Sequence, residues 1–318
     1  ARRASYSLDD GLTWLYFDNT TVDVGNQWVQ FSNNTPFAQN KIRVGRSRQI
    51  TVHQVGDWVA AQGAAHSFLV PTSTAASYTP SGSVAGFAAQ TFIADEYSTQ
   101  TDSLGATIPV TPLYAFEVND TSIMPLDGSP KYVMVLTAGV HAGENMGIIY
   151  VQRMVEHLCG SSAEALVLRR RFRTLVYPCI NAPGLAGGGW RGSFTQGVGG
   201  FDDANRHFDN LSCGLEIVTK PRAAMATDLA GQWPKISDDS HGTFRDTYSF
   251  SRYAGNSWHT RLQNYWTSFS GVTIADDGDY IAGTVSAYWQ DNGTLLAFTG
   301  EFGDEFQITD SDINGVAI

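Results

Sequence analysis

His141-Ala142-Gly143-Glu144 sets an imidazole and a carboxylate three residues apart, directly after a run of apolar residues. Where a buried strand hands over to a helix, that spacing aims both groups past the strand's C-terminal end, the side on which open α/β sheets bind ligands. Imidazole nitrogen and carboxylate oxygen both suit Zn²⁺, which needs a third protein ligand and an open position for water. The pair alone is a weak signal that reads more readily as a solvated helix start, so its weight comes from the residues downstream. These are Asn181-Ala182-Pro183-Gly184, Trp190-Arg191, Asp203-Ala204-Asn205-Arg206-His207, Asp239-Ser240-His241-Gly242 and Phe298-Thr299-Gly300-Glu301. Only seven His are present, which keeps the search for ligands small.

This ordered set resembles the zinc metallocarboxypeptidases, or funnelins. Those enzymes carry H-x-x-E, an Arg in a W/Y-R context, N-R, a later His, and a Glu in an F-T-x-E context. The stretch from Ala163 to Phe194, AEALVLRRRFRTLVYPCINAPGLAGGGWRGSF, looks most like the cytosolic carboxypeptidase branch. In that branch a small β-sandwich precedes the catalytic domain. The resemblance covers Tyr114 to Phe306, and its specificity lies in the order of five motifs. Ala142 departs from it by standing where that branch has Pro, and Ala182-Pro183 replaces an Asn-Pro-Asp run. The stretch from Arg206 to His241 is short, and 17 residues follow Glu301 where the family continues into a longer helix.

The resemblance implies a zinc-dependent peptide hydrolase that removes the C-terminal residue of peptides or protein tails. It implies one Zn²⁺ per chain held by His141, Glu144 and His241. His259 is the rival ligand, in a helical pattern. His157 falls beside an apolar stripe, and His207 adjoins the Asn205-Arg206 pair. Glu301 becomes the general base and acid, with Asp304 and Glu305 as close rivals. Arg191 becomes the donor to the oxyanion. Asn205 and Arg206 grip the substrate's terminal carboxylate, which the guanidinium fork matches bidentately. Asp203 orients that pair or a ligand. Tyr280, with Tyr288 as rival, closes a phenol over the substrate. Ser286 and Ala287 match the family's pocket floor, and neither is charged, which disfavours Lys/Arg selectivity. Asp276, Asp277 and Asp279 stand upstream, and Arg245 or Arg252 could serve an acidic side chain. Two other readings stay open: an aspartoacylase-like zinc amidohydrolase acting on small N-acyl amino acids, and a non-catalytic member of the fold.

The elements that must position these residues can be read from pattern. Ser7-Leu8-Asp9-Asp10-Gly11-Leu12-Thr13-Trp14 fits an Asp-box-like hairpin turn. Short β-branched or aromatic runs at 28–31, 50–53 and 58–61 predict strands. Together they predict an N-terminal β-rich, sandwich-like domain over 1–110, joined through an irregular stretch at 71–110. From Lys131 the texture is α/β over 111–318, a mixed sheet with helices on both faces. Tyr132 to Thr137 predicts a strand covered on both faces. Ile148, Val151, Met154, Val155 and Leu158 predict a helix from Glu144 to Cys159, stopped at Gly160. A capping box at 161–164 opens a helix to Arg171. Strands are expected at 173–179 and 295–299, a Gly-rich loop at 184–200, and a helix over 253–269.

Composition excludes other classes. Lys+Arg number 20 against 31 Asp+Glu, a net charge of −11, which argues against a phosphate-binding surface and a polybasic membrane patch. No apolar run reaches the ~20 residues of a membrane helix. Neither nucleic acid nor membrane is therefore expected as partner, and oligomeric state is left open. The chain reads as soluble; its compartment is open, with the cytoplasm favoured. Three Cys exclude a disulfide framework as the main stabiliser and leave room for one bridge.

Overall fold

The structure is a computed structural model and describes residues 4–8, 15–23, 25–26, 28–40, 42–45, 50–101, 105–187, 193–194, 201–243, 249–251, 275–276 and 281–304. The N-terminal strands are β1 (Ser5–Ser7), β2 (Leu15–Tyr16), β3 (Asn19–Asp23), β4 (Trp28–Ser32) and β5 (Arg43–Gly45). β1 pairs antiparallel with β2 and β5, and β3 forms a hairpin with β4. β1 and β2 flank the Asp-box-like motif, whose residues 9–14 lie outside the described set. Rings of Tyr6, Phe17, Phe31 and Phe37 gather beneath these strands.

The next segment corrects the sequence reading. Residues 50–53 and 58–61 are not strands: helix α1 runs Val52–Ala65. Its Thr51 N-cap and Gln54 form a capping box, and Val52, Val55 and Val59 are buried at helical spacing. The β-branched identity of these residues hid a 3.6-residue period. Next come β6 (Leu69–Pro71), α2 (Ser73–Ser77), β7 (Ile93–Tyr97), β8 (Gln100–Thr101), β9 (Thr107–Ile108), β10 (Thr111–Tyr114) and β11 (Phe116–Val118). β6 pairs with β11, so a strand from within the first 110 residues forms one edge of the main sheet.

The second half alternates as expected. β12 (Tyr132–Ala138) leads to α3 (Asn145–Cys159), and α4 (Ala163–Arg171) to β13 (Phe172–Tyr177). After α5 (Ala182–Ala186) and the pair β14 (Ser193–Phe194) and β15 (Phe201–Asp202) comes α6, Glu216–Leu229. Nothing in the sequence reading marked α6, because Pro221 interrupts its pattern. β16 (Ile236–Thr243), β17 (Ser249–Ser251), β18 (Ala275–Asp276), α7 (Val285–Asp291) and β19 (Leu296–Asp304) complete the described chain. The helix expected over 253–269 lies outside the described residues.

Eight strands make the main sheet, in the order β18-β17-β19-β16-β12-β13-β11-β6. β13, β12, β16 and β19 run parallel. The outer pairs β11–β13, β6–β11 and β17–β19 are antiparallel, so the sheet is mixed. Helices cover both faces. Burial and the charge of Asp238 on β16 raise the Tyr150 phenol of α3, while Ser286 of α7 bonds Thr299 of β19, the residue in register with Asp239. Neighbouring residues on a strand face opposite ways, which puts α3 and α7 on opposite sides. Ties also run back to earlier elements: Asp228 of α6 accepts from Thr74 of α2 and Tyr177 of β13.

One glycine sets how closely helix and sheet meet. A Cβ on Gly147 would overlap the Ser240 carbonyl oxygen and come within 2.6 Å of its carbon and 2.9 Å of the His241 nitrogen. Both neighbours are strand backbone and cannot turn aside. Gly147→Ala is therefore expected to push α3 away from β16 and cost about 1–3 kcal/mol by overpacking. Urea unfolding measures this, and an unchanged midpoint would contradict so close a contact.

Candidate metal centre

Three of the expected ligands meet at the C-terminal edge of the parallel strands. β12 ends at Ala138, and His141 lies in the turn after it. That turn is tight: Glu144 N donates to the His141 carbonyl, and Gly147 N to the Glu144 carbonyl. Glu144 is the N-cap of α3, so its side chain stands at the helix entrance. His241 comes from within β16, two strand positions from the end. All three are buried, at 2%, 3% and 2% exposure. One carboxylate joins the two rings: His141 Nδ1 lies 3.0 Å from Glu144 Oε1, and His241 Nδ1 lies 2.7 Å from Oε2. One ligand atom from each residue falls within 4.8 Å of the others, the only such cluster among the described residues.

The remaining ring nitrogens also meet carboxylates. His141 Nε2 lies 2.9 Å from Asp203 Oδ1, and His241 Nε2 lies 2.9 Å from Asp239 Oδ2. An Nε2–H directed at a carboxylate keeps Nδ1 turned to the shared centre, where its proton meets Glu144 and its lone pair would be free once a metal displaces that proton. Two imidazole nitrogens and a carboxylate, each ring oriented from behind, are a donor set that fits Zn²⁺. Asp203 had been expected to orient a neighbour. Asp239 was missed in this role, although its place two residues before His241 puts both on one strand face.

Around this centre the substrate-side residues divide. Asn205 and Arg206 sit in a short 3-10 turn, Ala204–Arg206. Asn205 is buried; its Oδ1 accepts from Val285 N at 2.9 Å, and its Nδ2 lies 3.3 Å from His241 Nε2. Arg206 is exposed, with Nη1 donating to the Asn205 carbonyl. The turn is fastened to the start of α7. Phe208 N donates to the Gly283 carbonyl, and a Cβ on Gly283 (φ +80°) would lie 2.5 Å from the Arg206 carbonyl carbon. Glu301 is placed by register: on the parallel strand β19 it is the Cα partner of His241. Its side chain, Arg191 and Tyr280 lie outside the described residues, as do His259, Glu305, Arg245 and Arg252. Tyr288 packs with Trp233 and Trp289 under the Arg222 guanidinium. His157 is in the last turn of α3, and His207 closes the 3-10 turn. At the expected pocket floor, Ser286 Oγ bonds Thr299 Oγ1 at 2.8 Å and Ala287 is buried. The three thiols, Cys159, Cys179 and Cys213, are unpaired and outside the cluster.

Electrostatics at the centre reflect burial and pairing. Burial alone would raise the Glu144 carboxyl, but His241 and His141 together outweigh it and hold it down at about 2. Burial would lower His241, and Asp239 and Glu144 push it well above its ordinary value instead. Glu144 therefore contributes stability above its unfolded value of 4.5, lost as pH falls towards about 2. His241 contributes stability below its unfolded value of 6.5, lost as pH rises through the raised folded one. The metal-free protein is expected to be most heat-stable between pH 4.5 and 6.5. Added zinc, which displaces the imidazole proton, should stabilise it increasingly above that window. Thermal unfolding with and without chelator checks this; a metal-free midpoint that climbs above pH 6.5 would contradict it.

No family model matches the chain. Among curated proteins, 99 residues (31% of the chain) are 28% identical to cytosolic carboxypeptidase 2 of Macaca fascicularis and of Homo sapiens. The match spans 11% and 10% of those much longer proteins. Among solved structures, a metallo-carboxypeptidase from Burkholderia cenocepacia aligns with a TM-score of 0.67 at 15% identity, covering 99% of this chain and 78% of that one. A Pseudomonas aeruginosa metallo-carboxypeptidase, in complex with (2-guanidinoethylmercapto)succinic acid, aligns at 0.66 and 13%, over 99% and 78%. Bovine thrombin-activatable fibrinolysis inhibitor aligns at 0.56 and 13%, over 85% and 92%. No described helix is long and apolar enough to cross a membrane. The chain thus has the metallo-carboxypeptidase fold, and over 99 residues its sequence resembles cytosolic carboxypeptidase 2.

Proposed function

We propose that this chain is a zinc-dependent carboxypeptidase that hydrolyses the C-terminal peptide bond of peptides or protein tails. The observation that carries this is the buried His141–Glu144–His241 cluster with Glu301 in register beside His241. Zn²⁺ held by His141 Nδ1, a Glu144 oxygen and His241 Nδ1 would supply Lewis-acid polarisation of the scissile carbonyl and of a water molecule. Glu301 takes the proton from the attacking water and returns it to the departing amine. Arg191 donates to the oxygen that becomes negative as the carbonyl carbon turns tetrahedral. Asn205 and Arg206 bind the free terminal carboxylate, which makes the enzyme an exopeptidase by positioning. Tyr280 closes over the bound residue.

At the positions matching the pocket floor, Ser286 and Ala287 are uncharged, which supports residues other than Lys or Arg at the cleaved position. The natural partner in this reading is a peptide or protein C-terminus, and the cytosolic relatives favour the cytoplasm.

A C-terminal release assay on a peptide library, with and without chelator, tests the proposal. Single C-terminal residues should be released, and chelator should abolish release. Glu301→Gln should lose about 10²–10⁴-fold in kcat while retaining zinc; activity that survives it would overturn the mechanism. Arg206→Ala should raise KM for free C-termini far more than it lowers kcat, whereas unchanged discrimination against C-terminal amides would remove Arg206 from its role.

A further inference from the structure

We infer that Asp239 is a positioning residue for the third metal ligand, and that Thr137 on the neighbouring strand holds it in place. Asp239 is 1% exposed in the middle of the sheet, on a strand flanked by β12 and β19. A carboxylate there is costly unless its oxygens are satisfied, and aspartate is a poor strand residue. Both oxygens are engaged. Oδ2 lies 2.9 Å from His241 Nε2, and Oδ1 lies 3.0 Å from Thr137 Oγ1, closer than the Asp238 carbonyl at 3.2 Å, the other acceptor for that hydroxyl. Thr137 is itself 1% exposed and is the register partner of Asp239. The chain Thr137–Asp239–His241 therefore runs from one strand to the next and ends at the nitrogen facing Glu144.

Strand pairing does not explain the aspartate, since the backbone ladder already joins β12 to β16 here. Its effect falls on the His241 ring. A carboxylate at Nε2 requires the proton there and leaves Nδ1 free to bind a metal. The other group near Nε2 is the Asn205 amide nitrogen at 3.3 Å, a donor that cannot accept that proton. Asp239 is thus the group that sets the tautomer, and its negative charge strengthens the imidazole as a donor. Thr137 fixes which way the carboxylate is turned.

The inference rests on the metal reading, so the test separates the two. Zinc dissociation constants are measured by competition with a chromogenic chelator for wild type, Asp239→Asn, Thr137→Val and the double variant. Metal-free circular dichroism and thermal midpoint are followed alongside. Asp239→Asn should bind zinc ~10–100-fold more weakly, with a native metal-free spectrum. Thr137→Val, which keeps the shape and removes the hydroxyl, should bind several-fold more weakly, and the loss should vanish in the Asp239→Asn background. If wild type takes up no zinc, the metal reading fails and this inference with it. If wild type binds and Asp239→Asn binds equally well, only the positioning role is overturned. Should Asp239→Asn not fold, Thr137→Val decides: weaker zinc at an unchanged metal-free midpoint supports the role, and unchanged zinc removes it. Additive losses in the double variant would separate Thr137 from Asp239.

Discussion

A negative charge buried between two imidazoles is the constraint on which the site depends. The Glu144 carboxylate is 3% exposed, so it must be paired or neutralised. His141 and His241 take one oxygen each, and the Gly242 backbone N–H adds a longer contact. That arrangement requires the entrance of α3 to lie against the end of β16. Gly147 permits the approach, and the tight turn after β12 brings His141 to the same point. The rings are then held from behind by Asp203 and Asp239, carboxylates that arrive from different segments. The cluster is a junction of three chain segments as well as a candidate binding site.

The substrate side is built on that junction. Asp203 Oδ1 meets His141 Nε2 and also accepts from the Asn205 N–H, so the loop bearing Asn205 and Arg206 starts from a partner of the buried cluster. The same loop is fastened to the turn before α7 by the Phe208–Gly283 and Val285–Asn205 hydrogen bonds. Ser286 stands on that helix and bonds Thr299, two residues before Glu301. Short hydrogen-bonded links therefore set the positions of the Asn205-Arg206 turn and the start of α7 relative to each other.

The parts legible in the sequence were those with a period or a motif order. β12 is a continuous apolar run between two covered faces, and α3 shows its stripe plainly, so His141 and Glu144 could be placed before any coordinates. His241 and Glu301 emerged from motif order; the register that makes them neighbours is a property of strand pairing and is invisible in one dimension. α1 was misread because Val52, Val55 and Val59 are strand formers by type and helical only by spacing. α6 was missed because Pro221 breaks a pattern that tertiary packing sustains. Asp239 carried a weak signal, an acid two residues before a histidine, whose meaning depends on Thr137 across the ladder. Arg191 and Tyr280 stay as sequence assignments, since both lie outside the described residues.

The pairing of His241 with Glu301 also governs how the chain can change in length. Both residues belong to parallel strands with a period of two, so an insertion or deletion of one residue earlier in either strand turns the functional position to the opposite face. Thr137, Asp239 and Thr299 form the adjoining cross-strand row and would be lost in the same step. A one-residue change before these positions is therefore costly, whereas β19 carries an extra residue after them, at the irregularity beyond Gly242 and Phe302.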